Sequence, residues 1–93
     1  MKKEITKNHI EKYINLTEKA LLTAKSSINK KNKQKAEKII EMVEAYLSDS
    51  KYFKKKDDYV NAFAAINYAH GWLDCGARLG IFDVKDDKLF TIK

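Results

Sequence analysis

No proline occurs in this chain of 93 residues, and its three glycines, Gly71, Gly76 and Gly80, fall within one ten-residue stretch. Nothing therefore forces a break except local turn chemistry, and a helical period can run as far as the side chains sustain it. Three segments sustain it when projected at about 100° per residue. In the first, Ile5, His9, Ile10, Tyr13, Leu16, Ala20, Leu21, Ala24 and Ile28 share one face, with Lys7, Glu11, Lys12, Asn15, Glu18, Lys19 and Lys25 opposite. Leu22 is the exception and points to the polar side. In the second, Ala36, Ile39, Ile40, Val43, Tyr46, Leu47, Ser50 and Phe53 form a clean apolar stripe. The spacing predicts helices over residues 3–27, 33–55 and 58–80.

The breaks are chemical. Residues 26–33 combine poor helix formers with clustered lysines and read as a loop, with Asn32 as the expected N-cap of the second helix. Lys54, Lys55 and Lys56 at one helix end meet Asp57 and Asp58 at the next start, an order that suits the helix macrodipole. Asp57 is the expected N-cap of the third helix, and Gly80 its stop at C′. Residues 81–93 mix Phe82, Val84, Leu89, Phe90 and Ile92 with three aspartates and read as a short extended tail. No internal period of 20–50 residues repeats. The expected fold is all-α: a three-helix up-down-up bundle with a short extended C-terminal tail, one domain spanning residues 1–93.

Composition narrows the function classes. A single cysteine, Cys75, cannot form an internal disulfide or build a thiolate cluster, which fits a reducing compartment. Met1-Lys2-Lys3-Glu4-Ile5 lacks the apolar run of a signal peptide, and no segment reaches membrane-spanning length, so no membrane association is expected and the cytoplasm is the expected location. The net charge is +6, but residues 1–56 carry 15 lysines and seven acids whereas residues 57–93 carry four basic and six acidic groups. Such asymmetry can mark a nucleic-acid surface, here Lys30, Lys31, Lys33 and Lys35 with Lys54, Lys55 and Lys56. Against it, Arg78 is the only arginine, and arginine is the favoured residue for bidentate phosphate and base contacts.

The third helix departs from the simple pattern. One face, with Tyr59, Ala62, Phe63, Ile66, Ala69, His70, Leu73 and Ala77, must be the bundle core. The opposite face, with Ala64, Tyr68, Trp72, Cys75 and Leu79, is apolar as well, and a helix apolar on two faces is buried on both. Either the tail folds back across Trp72 and Leu79, burying Phe82, Leu89 or Phe90, or a second copy or another protein packs there. Gly71 and Gly76 lie inside this helix at about 1 kcal/mol each relative to alanine. Close helix–helix approach is the favoured explanation, ahead of a ligand pressed against the backbone.

Asn67, His70, Asp74 and Arg78 form a candidate polar core cluster. Asp74 is spaced to pair with Arg78 and to reach His70, and an imidazole oriented by a carboxylate can act as a general base. No nucleophile accompanies it, because Cys75 points to the other face, so no catalytic residue is assigned. His9 is the only other histidine. Without HExxH, a Glu-x-x-His pair, a glycine-rich phosphate loop, GxSxG or Cys-x-x-Cys, neither a metal nor a cofactor is expected.

The run Asp57-Asp58-Tyr59-Val60-Asn61-Ala62-Phe63, followed by Tyr68-Ala69-His70-Gly71-Trp72-Leu73-Asp74-Cys75-Gly76, resembles an archaeal family known as domain of unknown function 357. The likeness extends more weakly back through residues 45–53. It implies an archaeal, cytoplasmic protein with a compact three-helix bundle, and implies no activity. Lys56 stands where a glycine commonly precedes the Asp-Tyr, and Cys75 where a small residue is usual. A looser likeness exists to HEPN-type helical proteins, some of which are ribonucleases that use an arginine ahead of a histidine; here Arg78 follows His70, so that nuclease motif is lacking. The expected function is thus a non-enzymatic protein-interaction or self-associating module, working through Tyr68, Trp72, Cys75 and Leu79. The alternatives are an RNA- or DNA-associated accessory protein using the lysine-rich loops, or a HEPN-like helical protein.

Overall fold

In the computed structural model, which describes residues 4–91, the first helix, α1 (Lys7–Lys25), begins where the Thr6 hydroxyl accepts the His9 amide at 3.2 Å. A threonine cap, not the apolar stripe, sets the start, so α1 begins later than the expected residue 3, which lies outside the described residues. The second helix, α2, spans Lys33–Lys55, as its stripe predicts. A short 3-10 turn, Lys30–Asn32, precedes it, and the Asn29 side chain caps that turn by accepting the Lys31 amide at 2.9 Å. Asn32 holds the N-cap position of α2 but makes no side-chain capping bond.

The third helix, α3 (Tyr59–Arg78), is capped by Asp58, which accepts the Asn61 amide at 3.2 Å. That corrects the expectation at Asp57, whose backbone lies in the left-handed region at φ 59 and turns the chain between α2 and α3. Lys56 keeps φ −90, so the glycine-favouring geometry falls one residue later than the resemblance placed it. At the other end Gly80 takes φ 74, the Ile81 amide bonds to the Gly76 carbonyl at 2.9 Å and the Gly80 amide to the Ala77 carbonyl at 3.2 Å. This is a Schellman closure.

The three helices are antiparallel in sequence order, giving the up-down-up bundle. Ion pairs Lys25–Glu44, Lys51–Glu18 and Lys54–Glu11 run along the α1–α2 seam at 2.9, 3.0 and 3.8 Å. Exposed pairs of this kind contribute at most about 1 kcal/mol each and record register more than stability. The core is supplied by Ile10, Ile14, Leu21, Ile39, Val43, Leu47, Ile66 and Leu73, with Ala20, Ala24, Ala36, Ala62, Ala69 and Ala77 letting the helices close up. Between α2 and α3 the buried Ser50 hydroxyl donates to the Ala62 carbonyl at 2.7 Å. Among the described residues every buried side-chain nitrogen and oxygen has a partner.

The tail completes the core. Its first residues pair with the α1–α2 connection: the Asn29 amide donates to the Ile81 carbonyl at 2.9 Å and the Asp83 amide to the Ser27 carbonyl at 2.7 Å. Ile28 and Phe82 thus form an isolated antiparallel bridge. Phe82, with Ile81 and Phe90, is buried. Gly76 makes room for it, since a Cβ there would sit 2.5 and 2.7 Å from Phe82 ring carbons and 3.3 Å from Ile39 Cδ1. The close approach expected at the glycines is therefore real at Gly76, but the tail's ring occupies the space together with α2. At Gly71 nothing lies within 4 Å of an added Cβ, so no packing inside the monomer accounts for it.

Candidate interaction surface

The core face of α3 is buried as its spacing requires, with Ala62, Ile66, Ala69, Leu73 and Ala77 inside and Tyr59, Phe63 and His70 half-buried. The opposite face is where the two covers were open. The tail does fold back, but not over Trp72 and Leu79. After Phe82 passes Gly76 it returns along the edge of α3 that faces α1, ending at His70 and Asp74. Leu79 stays 67% exposed, Tyr68 63%, Val60 70% and Trp72 39%, with Cys75 and Ala64 also open.

These side chains form one continuous stripe along α3 at helical spacing. Its middle is a shallow hollow of about 490 Å³ lined by Asn67, Tyr68, Gly71, Trp72 and Cys75, none of them charged. Tyr68 is held in place by Tyr46 of α2, stacked at 5.3 Å between centroids and 18° between planes. A ring already fixed by a neighbour loses less conformational freedom when something docks on it. On α3 the only charged side chains are Asp74 and Arg78. The stripe is thus apolar, neutral and partly preorganised, in a protein whose surface is otherwise rich in lysine.

The expected polar core cluster divides. Asn67 and Arg78 are exposed, and Asp74 and His70 sit half-buried at the α1 edge. His70 Nδ1 lies 3.1 Å from the Thr17 hydroxyl and Nε2 2.8 Å from the Leu89 carbonyl. Asp74 accepts the Thr91 amide at 2.9 Å, with its carboxylate 3.7 Å from His70 Nε2. Asp74 is therefore committed to the tail and not to Arg78. A hollow of about 200 Å³ reaches His70 beside Tyr13, Thr17 and Asp74, but both ring nitrogens already have partners. The arrangement is a clasp that fastens the tail to α3. Thr17, buried on α1, is the member that sequence reasoning missed: its projection falls within the apolar face, but a lone hydroxyl there carries no signal of a partner 53 positions away.

The lysine clusters lie at opposite ends of the bundle. Lys30 and Lys31 in the 3-10 turn, with Lys33 and Lys35, open α2, whereas Lys54, Lys55 and Lys56 close it. They sit at the two ends of a helix of 23 residues, about 35 Å long at 1.5 Å per residue. Lys54 is paired with Glu11, and Lys56 lies 5.8 Å from the Tyr52 ring centroid. They do not make a single patch. Among the described residues no three of His, Cys, Asp and Glu come together as a metal site would need, and no helix is long and apolar enough to cross a membrane.

The sequence profile of one family, described as Protein of unknown function (DUF357), matches residues 12–82. The chain belongs to that family. The matched span runs from α1 through α3 to Phe82, and so takes in the whole exposed stripe and the first turn of the tail. No curated protein and no solved structure matches the chain.

Proposed function

We propose that this family member is a non-enzymatic interaction module whose working surface is the α3 stripe of Tyr68, Trp72, Cys75 and Leu79. The observation that carries the reading is that the stripe stays open although the tail has folded back and buried its own aromatic side chains elsewhere. A monomer that spends Phe82 and Phe90 on its core and leaves Tyr68, Trp72, Val60 and Leu79 exposed keeps an apolar face that a lone soluble domain gains nothing by exposing. Tyrosine and tryptophan are the common anchors of such surfaces. The reading goes with the archaeal, reducing cytoplasm that the family resemblance implies, where the exposed Cys75 thiol stays reduced.

A photo-crosslinking side chain placed at Trp72 in living cells tests it, with the same group at Leu22 as control, since Leu22 is an isolated exposed leucine on α1. Discrete adducts from position 72 alone are expected. Equal or absent labelling at the two positions refutes the reading. A nucleic-acid role for the lysines would rest on one end of the bundle at a time, and a titration at about 50 mM salt reads it directly.

A further inference from the structure

The exposed positions of α3 have a symmetry of their own. Val60, Asn61, Ala64, Asn67 and Tyr68 lie as far ahead of the point between Ala69 and His70 as Leu79, Arg78, Cys75, Trp72 and Gly71 lie beyond it. Turned end for end, the stripe falls on itself position by position. We infer that this face receives a second copy of the same chain, with the two α3 helices antiparallel about a two-fold axis passing between Ala69 and His70. The inference rests on the stripe being an interaction surface and names its partner.

Three features favour this arrangement. First, the register sets large on small: Tyr68 of one copy meets Gly71 of the other, where an open backbone with nothing within 4 Å is waiting for a ring. Gly71 weakens the monomer helix by about 1 kcal/mol with no return inside the monomer; an antiparallel neighbour supplies the return. A parallel pairing would instead set Tyr68 on Tyr68 and leave a gap at Gly71. Second, Arg78, the one charge on the exposed face, meets the neutral Asn61 amide, whereas a parallel pairing would stack Arg78 on Arg78. Antiparallel packing also sets the positive end of each helix dipole beside the negative end of the other.

Third, the area is adequate for a reversible dimer. Aromatic side chains carry about 150–250 Å² each, so exposures of 63% at Tyr68, 39% at Trp72, 67% at Leu79 and 70% at Val60 offer on the order of 450 Å² per copy. With the margins at Asn61, Asn67 and Arg78, two copies remove roughly 1,000–1,200 Å², the lower edge of specific interfaces. A dimer with a dissociation constant of tens to hundreds of micromolar is expected.

Sedimentation of the full chain from about 5 to about 500 µM reads the equilibrium, which must depend on concentration by mass action. Wild type is expected to shift from monomer to dimer. Trp72→Glu should stay monomeric, and Gly71→Ala should weaken the dimer at least tenfold while retaining the helical circular dichroism of wild type. Orientation is read by oxidation. Ala64→Cys beside the native Cys75 should lock a disulfide-linked dimer, because positions 64 and 75 oppose one another across the axis. Cys75 alone, or Ala64→Cys with Cys75→Ser, should not. A wild type that remains monomeric at about 500 µM overturns the second copy, and rapid linkage through Cys75 alone overturns the antiparallel register. In either case the crosslinking at position 72 separately reports whether a different protein uses the stripe.

Discussion

Gly71 and Gly76 stand five residues apart on one helix, yet adding a methyl group should move stability in opposite directions. At both sites alanine gains about 1 kcal/mol of helix propensity. At Gly71 the new Cβ meets nothing within 4 Å, so most of that gain survives and stability rises by about 0.5–1 kcal/mol. At Gly76 the Cβ would sit 2.5 and 2.7 Å from two Phe82 ring carbons and 3.3 Å from Ile39. The ring cannot swing away cheaply. It is buried, and its backbone is held between the Gly76 carbonyl at 3.3 Å and the Asp83–Ser27 bond at 2.7 Å. Overpacking costs about 1–3 kcal/mol, and a buried ring held at its backbone places Gly76→Ala in the upper part of that range, so after the propensity gain it should lose up to about 2 kcal/mol. In a domain of this size 1 kcal/mol corresponds to about 4–8 °C. Thermal melting followed by circular dichroism at low micromolar concentration, where self-association is absent, should therefore show Gly71→Ala melting above wild type and Gly76→Ala below it. Phe82→Leu removes the obstacle, so the Gly76→Ala/Phe82→Leu pair should be less destabilised than the sum of the singles by about 1 kcal/mol. Equal signs at the two glycines, or strict additivity with Phe82→Leu, would refute the packing argument.

Other outcomes follow from the clasp and the helix ends. Asp74→Ala removes the acceptor of the Thr91 amide, and amide hydrogen exchange at Thr91 should accelerate while the centre of α2 keeps its protection; unchanged exchange at Thr91 counts against the clasp. Ser50→Ala takes away a buried hydroxyl donating to the Ala62 carbonyl at 2.7 Å, and should lower stability by about 1 kcal/mol in urea unfolding without changing the m-value. The Tyr59 phenol is raised above its ordinary value of 10.0 by desolvation, by its hydrogen bond to Asp57 and by the negative charges of Asp57 and Glu11. Its contribution to stability is therefore complete below pH 10 and lost as the pH climbs through the raised value. Phenolate absorbance should show one tyrosine titrating late, and Asp57→Asn should bring it earlier.

Much of this fold is legible in the sequence because helical periodicity is a local signal. The α2 stripe from Ala36 to Phe53 matches the helix in both boundaries, since lysine clusters and turn chemistry end it within the same few residues. Boundaries set by one side-chain hydrogen bond are harder to read. Thr6 starts α1, and Asp58 takes the capping role because Asp57 is needed for the left-handed turn, a choice between adjacent aspartates that no periodicity can make. Tertiary partners are harder still. The two apolar faces of α3 are visible in sequence, but which one the tail seeks depends on the gap at Gly76 and on the Thr17–His70–Leu89 chain of hydrogen bonds. Those link residues 53 and 19 positions apart, beyond the reach of any local pattern. His70 looked like a core residue from its position on the wheel; the structure makes it half-buried, with its second nitrogen satisfied by a tail carbonyl.

The bridge between Ile28 and Phe82 also has a kinetic meaning. Three helices joined by short connections can assemble largely through contacts between neighbours in sequence, and such contacts form early. The bridge instead closes a loop that includes all of α2 and α3, so the ordering entropy of that closure is recovered only once both helices are in place. The tail is accordingly the last segment to join and the first to leave. Interactions absent from the rate-limiting step act on the unfolding rate and leave the folding rate nearly untouched. In this protein, then, the residues that fasten the tail govern how long the folded state lasts, while the helical pattern governs how quickly it is reached.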